Sequence, residues 1–225
     1  MIDLVITRFD ENIEWSNSLI PYINKRHIYN KGTGKLICSD DKTFIYNSKN
    51  EGRESLTILQ HIYDNYDKLP DCVVFLQGKL YDKQDHSTLP VNEYFNCLHN
   101  QIIGSLRYKD QTNSWLGVGV NIEKISILEW QKSIDICNGQ KIYIRCNNFS
   151  IGKSIIKKFP KEYYKNLIDN AQLKSKNPFS AYFCELSNID IFVGKSTYKL
   201  LKLDTHKTKN KNDLQGIKGL EICWN

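Results

Sequence analysis

The chain has 225 residues, a formal net charge of +6 and an isoelectric point near 8.8. This length suits one domain with a sizeable core, and 40% hydrophobic with 25% charged residues is ordinary for a globular protein. The positive balance suits either an anionic small-molecule ligand or a solvated lysine-rich surface. It falls short of a nucleic-acid-binding stripe, so no nucleic-acid partner is expected.

The sequence also predicts the compartment. No run of about 18 apolar residues could span a membrane, and the N-terminus lacks the basic-then-apolar layout of a signal peptide. The seven cysteines are odd in number and contain no CxxC pair, which favours reduced thiols. We therefore expect a cytoplasmic protein. A polar surface without an obvious hydrophobic stripe beyond the core favours a monomer.

The N-terminal part alternates short apolar runs with turn signals. Trp15, Leu19 and Ile23 are spaced to share one face of a helix or turn. The predicted elements are a strand at 3–8, a helical or turn-rich segment at 10–23, a strand at 27–29 with a turn at 30–34, and an ambiguous loop or hairpin at 36–48.

The clearest periodicity lies between residues 51 and 66, which predicts an amphipathic helix capped by Asn50. The continuously apolar run at 72–76 predicts a strand buried on both faces, as in a parallel sheet covered by helices. With the preceding strand this makes a βαβ unit, which should have a right-handed crossover.

This unit also predicts where a ligand would bind. In α/β proteins, ligands gather outside the carboxyl ends of strands and near helix N-termini. Arg53 stands at the start of the predicted helix, and Gln77 and Gly78 follow the buried strand. The residues therefore favour an enzyme with a crevice for an anion, without indicating which enzyme.

The C-terminal part has weaker patterns. Pro160 is expected in the first turn of a helix that runs to about residue 171. The other predicted elements are a helix at 91–103, a loop at 107–121, a strand at 141–151, a helical start at 153–158, and a strand pair or tail after 195. We find no repeat or linker and expect one α/β domain over 1–194, followed by a lysine-rich extension over 195–225.

Several short motifs in one order resemble a small, poorly characterised family of fungi, bacteria and large DNA viruses. They cover roughly residues 3–193. The matching segments are Arg8-Phe9-Asp10-Glu11 with Trp15, Tyr29 to Gly32, Asn50 to Glu54, Asn65 to Asp71, Val74 to Gly78, Phe149 to Ile151, Pro160 to Tyr164, and Phe183 with Glu185. That family resembles the GT-A glycosyltransferases, which are nucleotide-sugar-dependent enzymes.

The resemblance implies a single Rossmann-like GT-A-type domain with a mostly parallel central sheet flanked by helices. It implies transfer of a sugar from a nucleoside-diphosphate sugar, with a UDP-sugar favoured, to a glycan or small acceptor. If the source is a virus, the host cytoplasm is implied. Glu185 would be the general base. The implied donor-binding residues are Thr7, Arg8, Tyr29, Asn30, Lys31, Arg53, Gln77 and Gly78.

Each of these residues also has a structural interpretation. Arg8 could pair with Asp10 or Glu11, Arg53 with neighbouring glutamates, and Glu185 could cap a helix or form an ion pair. Tyr29 to Lys31 could form a plain turn. Trp115 could stack on an acceptor sugar.

The metal site is in doubt, because the Asp-x-Asp that holds Mn²⁺ or Mg²⁺ in most GT-A enzymes is missing after Leu76. Asp82, Asp85 and His86 could supply ligands or belong to a solvated loop, and Asp40-Asp41 is another acidic pair. Lys79 could replace the charge of the metal. The alternative function is a non-catalytic domain that binds a nucleotide or glycan.

Overall fold

The computed structural model describes residues 1–38, 40–80, 91–98, 100–108, 131–136, 142–171, 173, 179–201 and 217–223. The strands are β1 (Ile2–Arg8), β2 (Lys25–Asn30), β3 (Thr43–Asn47), β4 (Cys72–Gln77), β5 (Gln101–Tyr108), β6 (Ile142–Gly152), β7 (Thr197–Leu201) and β8 (Ile217–Cys223). The α-helices are α1 (Arg53–Asn65), α2 (Lys153–Ile156), α3 (Lys161–Asn170), α4 (Phe179–Leu186) and α5 (Asn188–Val193). Short 3-10 helices span Glu14–Tyr22, Tyr66–Lys68 and Val91–Asn96.

These strands form one sheet in the order β3-β2-β1-β4-β6-β5-β8-β7. The first four are parallel to one another, and the remaining four join through antiparallel pairs. The expected α/β fold, a central sheet flanked by helices, is confirmed. The parallel pairing that the sequence of residues 50–78 predicted is found in β3, β2, β1 and β4.

Alternating side chains of the strands divide the core into two layers. Val5, Val73 and Phe75 point to the side of the sheet covered by the helices α1, α3, α4 and α5. Leu4 and Ile6 point to the opposite side, where residues of the 14–22 and 91–96 segments pack. Both faces of β1 and β4 are therefore buried, which explains the largely apolar sequences of these two strands.

Three local predictions differ from the structure. The ambiguous segment 36–48 contains β3, and the predicted helix at 91–103 is instead a 3-10 turn followed by β5. Ile102 and Ile103 are buried on opposite sides of the sheet, so tertiary packing overrides the helical pattern there. The N-cap of α1 is Gly52 and not Asn50, and no side chain caps that helix.

The C-terminal segment contributes the last two strands of this same sheet. β8 pairs with β5, and β7 pairs with β8. The strand-pair alternative of the sequence analysis thus describes residues 197–201 and 217–223. Within the described residues, no helix combines the length and the apolar character needed to cross a membrane.

The strand order also points to one place on the sheet. Chain connections from β1 proceed outward through β2 and β3 on one side, and the chain then returns to β4 on the other side of β1. Such a reversal leaves a crevice outside the carboxyl ends of the two central strands, here β1 and β4. Arg8 and Gln77 are the last residues of these two strands, and the candidate site lies around them.

Candidate functional site

The carboxyl ends of β1, β2 and β4 lie side by side. Thr7 of β1 is aligned with Tyr29 of β2 and with Gln77 of β4. The backbone N–H of Gly78 donates to the carbonyl of Thr7 at 2.7 Å. The structure thus brings together three of the predicted donor-binding positions, Thr7, Gln77 and Gly78.

Gly78 is packed too closely for any side chain. A Cβ at this position would lie 2.9 Å from both Cβ of Arg8 and Oε2 of Glu11. The indole N–H of Trp15 donates to the Gly78 carbonyl at 3.0 Å. The glycine and the tryptophan of two separate sequence motifs therefore meet, and they hold the segment after β4 against the segment after β1.

The buried side chain of Arg8 links the segments that follow β1 and β2. Its Nε donates to the carbonyl of Glu11 at 2.9 Å, and Nη1 donates to Asn30 Oδ1 at 2.9 Å and to the Gly34 carbonyl at 3.1 Å. Asn30 in turn donates to Oδ1 of Asn47 at 3.1 Å. These contacts tie β1, β2 and β3 together at their carboxyl ends, and Arg8 binds the backbone of Glu11 where an ion pair with its side chain was the predicted alternative.

The side chain of Tyr29 points into the helix-covered core. Its hydroxyl lies 3.1 Å from Nδ1 of His61 on α1, and its ring stacks on Tyr46 with centroids 4.9 Å apart. Burial raises the pKa of Tyr29 well above its usual range. The predicted stacking of Tyr29 on a nucleobase is therefore not what this arrangement provides, because α1 and Tyr46 already cover the ring.

Lys31 holds the turn that starts α1. Its ammonium donates to the backbone carbonyls of Glu51 and Arg53. Burial lowers the pKa of Lys31 to about 8, although Glu54 and Glu51 oppose the shift. The amine is thus directed at the backbone of the turn, and it connects the end of β2 to the start of α1.

The same turn has an unusual backbone. Gly52 and Arg53 have φ values of +61° and +48°, in the left-handed region that glycine tolerates and arginine rarely adopts. Strain of this kind persists only where the surroundings hold it in place, and it clusters at binding sites. The two hydrogen bonds from Lys31 hold this turn in place.

Arg53 lies against α4. Its Nη1 donates to the hydroxyl of Tyr182, and the guanidinium carbon is 4.9 Å from the centre of the tyrosine ring. Nε is 3.6 Å from a carboxylate oxygen of Glu54. Burial alone would lower the pKa of Arg53, but Glu54, Tyr182 and Glu185 outweigh it and the pKa is raised. Glu185 lies on the same helix as Tyr182, so the contact of Arg53 with Tyr182 joins the start of α1 to the helix that carries Glu185.

Sequence reasoning missed two asparagines beside this cluster. The pairing of β5 with β6 is interrupted after Gly104, where Asn147 adopts a φ of +51°. Asn148 Oδ1 accepts from the backbone N–H of Gln77 at 2.8 Å, and Asn147 Nδ2 donates to Ser55 Oγ at 3.3 Å. The consecutive asparagines within a predicted strand were the available signal, because Asn is depleted in strands and tolerates left-handed conformations.

An open crevice adjoins the Arg8 side of the site. It has a volume of about 350 Å³, and its lining includes Arg8, Asp10, Glu11, Asn12 and Lys35. A volume in this range accommodates a nucleoside-sized ligand. Both signs of charge line it, so the crevice is suited to polar groups more than to a bare phosphate.

No metal site emerges in the part of the chain that the structure describes, since no three His, Cys, Asp or Glu side chains converge there. Asp40 accepts from Nη2 of Arg26 at 2.9 Å and from the Thr43 hydroxyl, so its carboxylate is engaged within the fold. Asp82, Asp85, His86 and Trp115 lie outside the described residues.

A family model described as a protein of unknown function (DUF3431) matches residues 4–111. The matched span begins within β1, runs past the end of β5, and includes Arg8, Lys31, Arg53 and Gly78. It stops before Asn147 and Glu185. No curated protein matches the sequence.

Proposed function

We propose that this α/β protein is a glycosyltransferase. It would take a nucleoside-diphosphate sugar, with a UDP-sugar favoured, and transfer the sugar to a hydroxyl of a glycan or small acceptor. The observation that carries the proposal is the contact of Arg53, a cation at the start of α1, with Tyr182 of α4, the helix that also carries the carboxylate of Glu185. An anionic donor and an acceptor hydroxyl need these two kinds of group.

The residues divide into two roles under this proposal. The guanidinium of Arg53 and the first N–H groups of α1 would hold the diphosphate, which carries the negative charge that develops as the sugar leaves. Glu185 would accept the proton of the attacking hydroxyl while the bond from the anomeric carbon to the phosphate oxygen breaks. Arg8, Asn30 and Lys31 would position the binding segments and would not themselves contact the donor.

A divalent metal would find few ligands where GT-A enzymes usually hold one. Gln77 and Gly78 end β4, and neither supplies a carboxylate. The backbone N–H of Gln77 is bonded to Asn148. Arg53 would then be the group that neutralises the charge of the diphosphate.

The first experiment is a thermal-shift screen of the purified protein against UDP, GDP, CDP and their sugars, each with and without Mn²⁺. A ligand that binds the native state raises the melting temperature by mass action. The selected donor is then incubated with sugar acceptors and the released nucleoside diphosphate is measured. Glu185→Gln should retain the thermal shift and lose about 10²-fold or more in turnover, as expected for loss of a general base.

The alternative is a domain that binds a nucleotide or glycan without turnover. The residues Gln77 and Gly78 at the end of β4, in place of an acidic pair, favour this alternative. A thermal shift without nucleoside-diphosphate release, with Mn²⁺ present, would establish it. The absence of a shift with every nucleotide would count against the glycosyltransferase and against a nucleotide-binding domain, and would leave glycan binding as the alternative.

A further inference from the structure

The strand at the edge of the parallel half has an apolar, solvent-exposed sequence. β3 reads TFIYN, and Phe44, Ile45 and Tyr46 are 41%, 37% and 38% exposed. It is the terminal strand of the sheet, and its pairing in the described part of the chain is with β2. Edge strands of this kind are templates for pairing with another strand, and natural proteins usually protect them with proline, bulges or charges. The five residues of β3 include no proline and no charged side chain.

The outward-facing backbone groups of β3 follow from its pairing with β2. The N–H of Arg26 donates to the Lys42 carbonyl at 2.9 Å, and the N–H of Ser48 donates to the Asn30 carbonyl at 3.0 Å. Residues of a parallel strand alternate in the side to which their N–H and C=O groups point. Lys42 and Ser48 are both even-numbered and point to β2. The groups of Thr43, Ile45 and Asn47 therefore point outward.

This set of outward groups is self-complementary. If a second copy approaches antiparallel and is centred on Ile45, Thr43 lies opposite Asn47 of the second copy, and Ile45 lies opposite its own equivalent. All three outward residues of each chain then exchange N–H···O=C bonds with the other chain. On the face shared with His27, Phe44 lies opposite Tyr46 of the second copy, and aromatic cross-strand pairs stabilise sheets.

The flanking charges agree with the same register. Continuing the pairing past the strand places Asp41 opposite Lys49 of the second copy, and the two-fold axis repeats this contact. Both residues are exposed. Opposite charges therefore face each other twice across the axis, and this arrangement favours a second copy of the chain over an unrelated strand.

We propose that the chain forms a two-fold homodimer through antiparallel pairing of β3 with β3, which joins the two sheets into one. This interaction surface is independent of the glycosyltransferase proposal, and it differs from the monomer that the polar surface favoured in the sequence analysis. A short strand pair buries little area, so the dissociation constant of the dimer is on the order of micromolar or higher.

Sedimentation velocity across concentrations up to about 1 mM tests the proposal. The wild-type protein should show a monomer–dimer equilibrium. Asp41→Lys and Lys49→Asp should each weaken the dimer by about tenfold, because each places like charges opposite one another twice. The double variant D41K/K49D should restore the wild-type dissociation constant. An equimolar mixture of the two single variants should associate as well, since opposite charges face each other again.

Amide hydrogen exchange provides a second readout in the same samples. At low concentration, Phe44 and Tyr46 should be protected by β2, whereas Thr43, Ile45 and Asn47 should exchange quickly. At high concentration these three should become protected. A wild-type protein that stays monomeric throughout would overturn the proposal, even if its edge captured a strand of another protein. So would a dimer that is unaffected by both single variants.

Discussion

Arg53 combines a left-handed backbone with a side chain that is 39% exposed. The two features favour different residues. The left-handed backbone favours glycine, whereas the proposed anion contact requires arginine. Retention of arginine at a strained position is what a binding role predicts. A single substitution can therefore test the anion contact and the backbone strain separately.

We predict that Arg53→Gly weakens donor binding without loss of stability. The backbone strain, about 1 kcal/mol, is relieved, so the melting temperature should stay the same or rise. Nucleotide affinity should fall by about tenfold or more, which isothermal titration calorimetry measures. Arg53→Lys is the matched control, since it retains the charge but loses the planar fork and should bind weakly. Wild-type affinity in the glycine variant would remove Arg53 from the donor site.

His61 is a second residue with a measurable consequence. It is 1% exposed, and burial together with the nearby His27 lowers its pKa to about 3 from 6.5. Between these two pH values His61 is protonated in the unfolded chain and neutral in the folded chain. Stability should therefore fall as the pH drops below 6.5, by about 2 kcal/mol at pH 5 from this group.

Denaturant unfolding between pH 7 and pH 4.5 checks this prediction. His61→Gln removes the titrating group and keeps a polar atom near the Tyr29 hydroxyl, so its stability should depend less on pH in this window. Asp3 acts at lower pH: burial would raise its pKa, but its contacts with His27 and Asn24 outweigh burial and lower it. An unchanged pH slope in the variant would show that His61 is not buried in its neutral form.

At the scale of elements, the start of α1 depends on a lysine from another element. No side chain caps α1, and the ammonium of Lys31 secures the two carbonyls that precede and begin the helix. The position of Arg53 therefore depends on the segment after β2 as well as on its own turn. The contact joins the sequence segment Tyr29 to Gly32 to the segment Asn50 to Glu54, and it accounts for the lysine of the first.

We predict that Lys31→Met destabilises the fold by about 2–4 kcal/mol, because two carbonyls lose their donor inside the protein. Nucleotide binding should weaken in the same variant, since the turn that positions Arg53 loses its anchor. Lys35→Met is the matched control: this lysine is exposed in the same loop and should have little effect on stability. Urea unfolding of both variants gives the comparison, and equal midpoints would contradict the anchoring role.

On the scale of the whole molecule, the sheet is continuous from the parallel half to the C-terminal strands. Leu220 and Ile222 of β8 are buried in the same helix-covered core as Val5 and Phe75. The C-terminal segment thus contributes to the core that supports the site, and β5 would become an uncovered edge without it.

We predict that deletion of residues 195–225 destabilises the protein by several kcal/mol and promotes aggregation. Each of the two buried β8 side chains accounts for about 1.5–3 kcal/mol, and the lost pairing with β5 adds to this. Thermal unfolding and light scattering of the truncated chain measure both effects. A truncated chain that melts like the full one would show that the segment is a separate appendage.

Much of the fold could be predicted because its signals are local. Continuous apolar runs identified β1 and β4, and a 3.6-residue period identified α1. Prediction failed for β5, whose Ile102 and Ile103 require neighbours on both sides to adopt a strand. It also could not place Tyr29, because a residue near the end of a strand faces either the crevice or the core according to its register.

The sequence by itself determined the α/β class, the parallel unit around α1 and the positions of Arg53, Gln77 and Gly78 at the ends of elements, since these depend on periodicity and turn chemistry. Only the tertiary structure decided that Lys31 anchors α1, that Asn147 and Asn148 interrupt β6 beside Gln77, and that Arg53 contacts α4, the helix that carries Glu185. Such contacts join residues far apart in the chain, and no local pattern encodes which distant polar groups will satisfy one another when the backbone between them is buried.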